Sequence, residues 1–341
     1  MPVVINPFDT GGYSLAEMTR AINIYPPVPT VMEELGLFRP VRSVTQRTVL
    51  VEQRDGVLNV LPSVPIGAPP TVANRDVRST RSFAIPGIKH VDVITPYDIQ
   101  GVRGFGSGDS ADPLAVVVEQ RLLRARNKVA LTREYMEVGA IRGVVKDGAG
   151  TTLYNYFTEF GITQKSVDFL FGGASTKIQT KVLEAVRIIE DNLLGETMTG
   201  VVALCGKTFF DNLTNHATVV DAYKYYASTG AQPLRDDARR NFPFMGIMFR
   251  EYNRTVSLAD GTTDKMIPDA EAYAFPVGTM DAFATYAAPV EHMDVVNTPG
   301  LPVYAWQEPL PRGAGVELNV QAAVLPVLQR PALSVKLYSS N

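Results

Sequence analysis

The sequence predicts an α+β fold, and three stretches predict it. Residues 112–143 read as one long amphipathic helix, well beyond the ~11–12 residues of an average helix. The first hundred residues hold many of the 24 prolines and read as extended chain and strands. Residues 175–275 alternate helical and strand patterns, the arrangement of an α/β layer around a central sheet.

The long helix has local signals at both ends. Asp112 is a good N-cap, because its carboxylate can accept a hydrogen bond from an orphan backbone N–H. Pro113 at the first helical position gives up no needed donor. Leu114, Val118, Leu122, Ala125, Val129, Met136 and Ala140 recur in steps that make one stripe. Glu119, Arg121, Arg124, Lys128, Arg133 and Glu137 take the other sides. Gly139 and Gly143 mark the C-terminal end. Such a rod spans ~45 Å at ~1.5 Å per residue. One apolar stripe makes no core alone, so the rod must lie along a sheet.

Residues 1–45 read as an arm kept extended by Pro2, Pro7, Pro26, Pro27 and Pro29. Capping boxes, Ser14 with Glu17 and Thr30 with Glu33, start two short helices in it, and Gly36 ends the second. Neither helix has enough apolar surface to stand alone, so the arm must dock on something. Residues 46–90 begin with a hairpin in which Thr48–Gln53 and Val57–Leu61 flank the turn dipeptide Asp55-Gly56. A stiff proline-rich stretch, 62–70, follows, and Asp76–Ile85 returns as a strand. Arg75, Arg78 and Arg81 sit among small polar residues there, so its early half has no apolar face. Residues 55–88 therefore read as a long projecting β-loop, and the alternative is an ordinary polar hairpin. His90–Ile94 is a further strand.

After the long helix, Leu153–Ile162 reads as a half-buried strand, with Tyr154, Tyr156 and Phe160 on alternate positions. Ser175–Leu194 is a second helix, closed by Gly195. Val201–Cys205 is a buried strand, Phe209–Tyr226 is helical and Met245–Tyr252 is a strand. Ala272–Phe275, Val303–Glu308, Gly315–Leu325 and Leu333–Tyr338 are the late strands.

Composition narrows the function. The 341 residues carry 45% hydrophobic content and a formal net charge of -3, which argues against a dedicated nucleic-acid binder. The single cysteine, Cys205, rules out an intrachain disulfide and a cysteine-rich metal site. No apolar run reaches the ~18 residues of a membrane span, and Met1–Pro7 lacks the basic and apolar regions of a signal peptide.

No set of residues assembles chemistry. Gly101–Gly108 precedes a helix, where a glycine-rich loop can hold phosphate. It matches neither phosphate-binding fingerprint, and Asp109 and Asp112 would repel an anion, so it reads as a flexible hinge. Pro86-Gly87 is a second candidate hinge. Cys205 and His216 could form a nucleophile pair but lack an orienting third group. Asp260, Asp264, Asp269 and Glu271 lack the order of a calcium loop. No catalytic, cofactor-binding or metal-binding residue is assigned, and no cofactor is expected.

The order of these elements resembles the major capsid proteins of tailed double-stranded-DNA phages, which share the Hong Kong 97-type fold. More narrowly it is similar to the phage lambda major capsid family. Asp112-Pro113, Ala140-Ile141-Arg142-Gly143 and Ile267-Pro268-Asp269 carry the resemblance. So does the tail Val316–Tyr338, with Gln321-Ala322-Ala323-Val324-Leu325-Pro326 at its middle. The resemblance implies an N-terminal arm (1–45), a projecting loop (46–90), a peripheral domain with the spine helix (91–174), an axial domain (175–300) and returning C-terminal strands (301–341). It also implies hexamers and pentamers of this chain forming an icosahedral shell around DNA. The partners it implies are a portal protein, a scaffolding protein, decoration proteins and packaged double-stranded DNA without sequence specificity. The place it implies is the virion, assembled in the host cytoplasm, with no membrane. Some relatives carry a scaffold segment ahead of the arm. Only Met1–Pro7 precedes Phe8 here, which implies a separate scaffolding protein or a chain already processed. An encapsulin-like nanocompartment and an α/β phosphate-binding enzyme are the alternatives.

Some relatives cross-link through a lysine in the projecting loop, and this chain has none between Gln46 and Lys89. Denatured particles should therefore run as single chains on a gel. A covalent ladder would contradict this.

Overall fold

The structure is a computed structural model that describes residues 14–24, 30–54, 78–99, 113–173, 176–226 and 239–341. Helices α1 (Leu15–Ile24) and α2 (Val31–Leu35) precede strands β1 (Val41–Ser43), β2 (Thr48–Arg54), β3 (Arg78–Ala84) and β4 (Gly87–Ile94). A short turn of helix, α3 (Pro96–Ile99), comes before the long α4 (Pro113–Arg142). Next come β5 (Val144–Lys146), β6 (Thr152–Asn155), α5 (Tyr156–Phe160) and β7 (Lys165–Asp168). They lead into α6 (Ile178–Asn192), β8 (Gly200–Cys205), α7 (Lys207–Asn215) and α8 (Ala217–Tyr226). Strands then dominate: β9 (Phe242–Phe244), β10 (Ile247–Glu251), β11 (Thr255–Ser257), β12 (Thr263–Lys265) and β13 (Glu271–Val277). The last are β14 (Phe283–Ala287), β15 (Tyr304–Pro309), β16 (Val316–Leu328) and β17 (Val335–Tyr338).

The described residues fall into two compact units. Those within Met1–Val49, Phe83–Glu134 and Thr285–Pro326 make unit 1. Those within Leu50–Ser82, Tyr135–Ala284 and Val327–Asn341 make unit 2. The division falls inside β2, β3, α4, β14 and β16, so five elements contribute residues to both. It also falls inside the 175–300 block, between Ala284 and Thr285.

Unit 1 is built on β16, which pairs antiparallel with β4 over Val316–Ala323 and with β15 over Val316–Gln321. β14 joins the same sheet and pairs in parallel with β1. Leu318, Val320 and Ala322 alternate onto one face of β16. Val117, Val118, Leu122, Ala125 and Val129 of α4 pack in one cluster with them and with Val303, Ala305 and Ile94. Each fully buried aliphatic side chain contributes roughly 1.5–3 kcal/mol. An ion pair such as Arg121–Asp92, 2.8 Å long and part-exposed, contributes ~0–1 kcal/mol. The apolar stripe, not the flanking charge, holds α4 on the sheet.

Met18 and Ile22 of α1 belong to that same cluster. The Thr19 hydroxyl donates to the Ala305 carbonyl at 3.2 Å and accepts from the Ala305 N–H at 3.1 Å. Asn23 donates to the Val303 carbonyl at 2.9 Å, and Arg126 Nη1 donates to the Ile22 carbonyl at 2.6 Å. The described part of the arm thus docks on its own subunit, which corrects the expectation, implied by the capsid resemblance, that the arm laps over neighbouring subunits. Both N-caps form: Ser14 Oγ accepts from the Glu17 N–H at 3.4 Å, and Thr30 Oγ1 accepts from the Glu33 N–H at 3.1 Å.

Unit 2 carries a six-stranded mixed sheet in the order β7-β17-β13-β8-β10-β9. Strands β8 and β10 run parallel, as do β17 and β7, and the other pairings are antiparallel. Ile178, Val182, Ala185 and Ile189 of α6 and Phe209, Phe210 and Leu213 of α7 are buried. The second half of α4 is enclosed here, with every residue from Glu134 to Ile141 buried. Glu137 is therefore not on a solvated side, contrary to the one-stripe reading. Ser334 Oγ donates to the Ile141 carbonyl at 2.5 Å and Arg142 donates to the Met266 carbonyl at 3.1 Å, tying down the helix end. Gly143 follows with φ of +82°, and a Cβ there would lie 2.0 Å from the Phe157 ring.

Other expectations need correction. The partner of β2 is β3, while Val57–Leu61 and the Asp55-Gly56 turn lie outside the described residues. Leu153–Ile162 is not one strand. Asn155 accepts from the N–H groups of Phe157 and Thr158 and starts α5, and Gly161, in the left-handed region, ends it. The Phe209–Tyr226 helix is two helices, broken at His216, whose backbone is extended. Strand β14, buried along its whole length, lacks the alternation that would announce it. Gly87 is paired with Ala323 in the β4–β16 ladder, so it is no loose joint, and the Gly101–Gly108 hinge lies outside the described residues.

Leu122→Ala should destabilise the subunit by ~2–5 kcal/mol. Arg124→Ala on the exposed side should stay within about ±0.5 kcal/mol. Chemical denaturation of both variants checks the ranking.

Candidate assembly surfaces

The residues weighed for chemistry do not converge. The Cys205 thiol is fully buried, which pushes its pKa far up, and its polar contact is the Ala203 carbonyl at 3.7 Å. His216 Nδ1 meets Thr218 Oγ1 at 2.9 Å, and its Nε2 meets the Gly173 carbonyl. The acidic group is divided among separate partners. Asp260 accepts from Thr262 at 2.7 Å and Asp269 pairs with Lys265 at 2.6 Å. Asp264 accepts from the Tyr135 hydroxyl at 2.7 Å and from Lys146 at 3.3 Å. Glu271 pairs with Lys336 at 2.5 Å and accepts from the Tyr273 hydroxyl at 2.7 Å. Hydrogen bonds from Tyr135 and Lys146 hold the Asp264 carboxyl below its usual range despite burial. Among the described residues no cluster could hold a metal ion, and no helix is long and apolar enough to cross a membrane.

The fold builds two distinct surface features. The first is the root of the β2–β3 ribbon, the two described ends of the loop. Phe83 and Ile85 are buried there, and the Ile85 N–H donates to the Arg47 carbonyl at 2.7 Å. Arg47, just before β2, pairs with Glu291 at 2.5 Å. Lys89, on β4, pairs with the other oxygen of the same carboxylate. Those two cations hold the Glu291 carboxyl at about 2, well below its ordinary 4.5. His292 beside it packs edge-on against Trp306, with ring centres 5.0 Å apart. In unit 2 the Arg81 guanidinium lies 5.0 Å from the centre of the Phe160 ring.

The second surface is a cleft of about 1040 Å³ in unit 1, between α1, the β1 approach, α4 and the 295–304 segment. It collects Arg20, Arg39, Arg126 and Arg133 against the single carboxylate Glu33. Ile24 (70% exposed) and Leu301 (44% exposed) supply bare apolar surface in it. No sequence signal announces this cleft, because its lining comes from stretches far apart in the chain.

Residues 14–339 match the family described as phage major capsid protein E. This chain belongs to that family. The major capsid protein of Pseudomonas phage KPP10 is 32% identical over 344 residues, covering 95% of this chain and 96% of the relative. The major capsid protein of Salmonella phage Felix O1 is 27% identical, covering 95% of each. Among solved structures, a capsid protein from an E. coli CFT073 prophage superposes with a TM-score of 0.61 at 12% identity. It covers 96% of this chain and 99% of its own. The capsid of cyanophage P-SCSP1u gives 0.51 at 13% identity, over 93% and 90%. These superpositions show the fold, the α+β capsid fold of the Hong Kong 97 type.

The phage major capsid protein E family is a family of shell-forming proteins, and the place of such a protein is the virion capsid. The ribbon root and the arginine cleft are then features of a subunit that must meet other subunits.

Glu291 sets a pH test. Its lowered pKa contributes stability that is present above its ordinary 4.5 and is lost as pH falls towards about 2. The stability difference between wild type and Glu291→Gln should therefore shrink over that window. Thermal unfolding across the acid range reads it.

Proposed function

We propose that this chain is the main building block of a phage head. Copies associate as hexamers and pentamers into a closed icosahedral shell around double-stranded DNA, held without covalent cross-links. The near-full-length relationship to two phage major capsid proteins supports this reading most. In it, the segment from α6 to β13 takes the axial position of the 175–300 block, and α4 with the β16 sheet takes the peripheral one. A portal protein, a separate scaffolding protein and decoration proteins are the partners, and the shell wall needs no catalysis of its own. Contact with DNA is independent of sequence, in keeping with a net charge of -3. Large obligate interfaces bury roughly 2,000–5,000 Å², and a subunit that meets several neighbours gains further from simultaneous contacts.

The nanocompartment alternative is not favoured by relatives that are phage capsid proteins. The phosphate-binding alternative rests on Gly101–Gly108, outside the described residues.

Purified protein, expressed with its scaffolding partner, should form closed shells visible by negative-stain microscopy. Protein that stays monomeric under those conditions would overturn the proposal.

A further inference from the structure

One end of the unit-2 sheet exposes apolar side chains where the chain has no conformational reason to hold them. Register brings three loops together there. Ile247 of β10 pairs with Val201 of β8, and Val277 of β13 pairs with Gly200, so the approach to β10, the approach to β8 and the exit from β13 share that end. Met245, in the turn before β10, is 41% exposed, Leu194, just after α6, is 52% exposed, and Met280, after β13, is 85% exposed. Leu194 and Met245 have φ of 51° and 48°, a region that disfavours side chains with a Cβ and suits glycine or asparagine. Glu196 gathers this end by accepting from the Met280 N–H at 2.6 Å and the Asp281 N–H at 3.2 Å. Exposed large apolar residues clustered at one end and rimmed by polar groups mark a contact surface.

The charge at this end is acidic. Asp191 and Asp281 are exposed, and Glu196 is paired with Arg330 at 2.5 Å. Arg187, one turn back on α6, is the nearby cation on that helix. The unit-1 cleft has the opposite character, with four arginines, one glutamate and the bare side chains of Ile24 and Leu301. Arg126 Nε in that cleft is buried and has no hydrogen-bond partner.

We propose that the Leu194–Met280 end of the unit-2 sheet in one copy seats in the arginine-lined unit-1 cleft of a second copy. This rests on the reading of the chain as a shell subunit. The two surfaces are complementary in charge and both carry exposed apolar side chains. Methionine fits irregular gaps, which suits a site repeated in slightly different settings. A contact between two different patches on identical copies is head-to-tail, and such contacts close into rings when the rotation allows. One contact type can therefore serve both a ring of five and a ring of six.

Wild-type protein provides the first test. Hydrogen peroxide should oxidise Met280 readily in dissociated subunits and at least ten-fold more slowly in assembled shells, read by peptide mass spectrometry. The second is the double variant Met280→Cys/Leu301→Cys, with native Cys205 buried and silent. Mild oxidation of its shells should give disulfide-linked multimers that neither single variant gives. If the double variant fails to assemble, Met280 protection in wild type decides. Shells in which Met280 oxidises as fast as in free subunits overturn the inference and leave the shell reading standing. Absence of shells altogether defeats that reading, and the inference falls with it.

Discussion

The burial of α4 is the constraint on which the rest of the structure depends. Val118, Leu122, Ala125 and Val129 need apolar company on one side only, and β16 with β4 and β15 supplies it. From Glu134 to Ile141 the helix is buried all round. A single rod of 30 residues thus serves as a one-sided surface helix in unit 1 and a core helix in unit 2. Two glutamates, Glu134 and Glu137, are carried into the interior by that change. The 13-residue β16 does the corresponding work among the strands, giving residues to both units.

With these two elements fixed, the remaining chain is free to make surface. Helix α1 spends its apolar side on the unit-1 cluster, and the far side of α1 becomes a wall of the arginine cleft. The Glu291 carboxylate ties Arg47 and Lys89, on either side of the β2–β3 ribbon, to one point. For a shell subunit this division is useful, because the parts that meet neighbours are anchored at their roots by local contacts.

Much of this was legible in the residues, and the reasons differ by element. Helix α4 was readable to within one residue at each end because its stripe and proline start are local signals. The arm helices were readable for the same reason, through Ser14–Glu17 and Thr30–Glu33. The burial of Glu137 was not, since it depends on which distant segments enclose the helix. Aromatic alternation at Tyr154, Tyr156 and Phe160 suggested a strand, but the Asn155 cap won locally and made a helix. The pairing of β2 with β3, far away in sequence, had no local signal to announce it. The cleft was invisible, because side chains from α1, α4 and the 295–304 segment meet only after folding.

Hydrogen exchange along α4 in the folded subunit tests the central claim most directly. Slow exchange requires burial and a maintained hydrogen-bond ladder. The account predicts that amides from Val117–Val129 and from Tyr135–Ile141 both fall among the slowest in the chain. Rapid exchange in the Val117–Val129 half, at the rate of an unsupported surface helix while β16 stays protected, would contradict it.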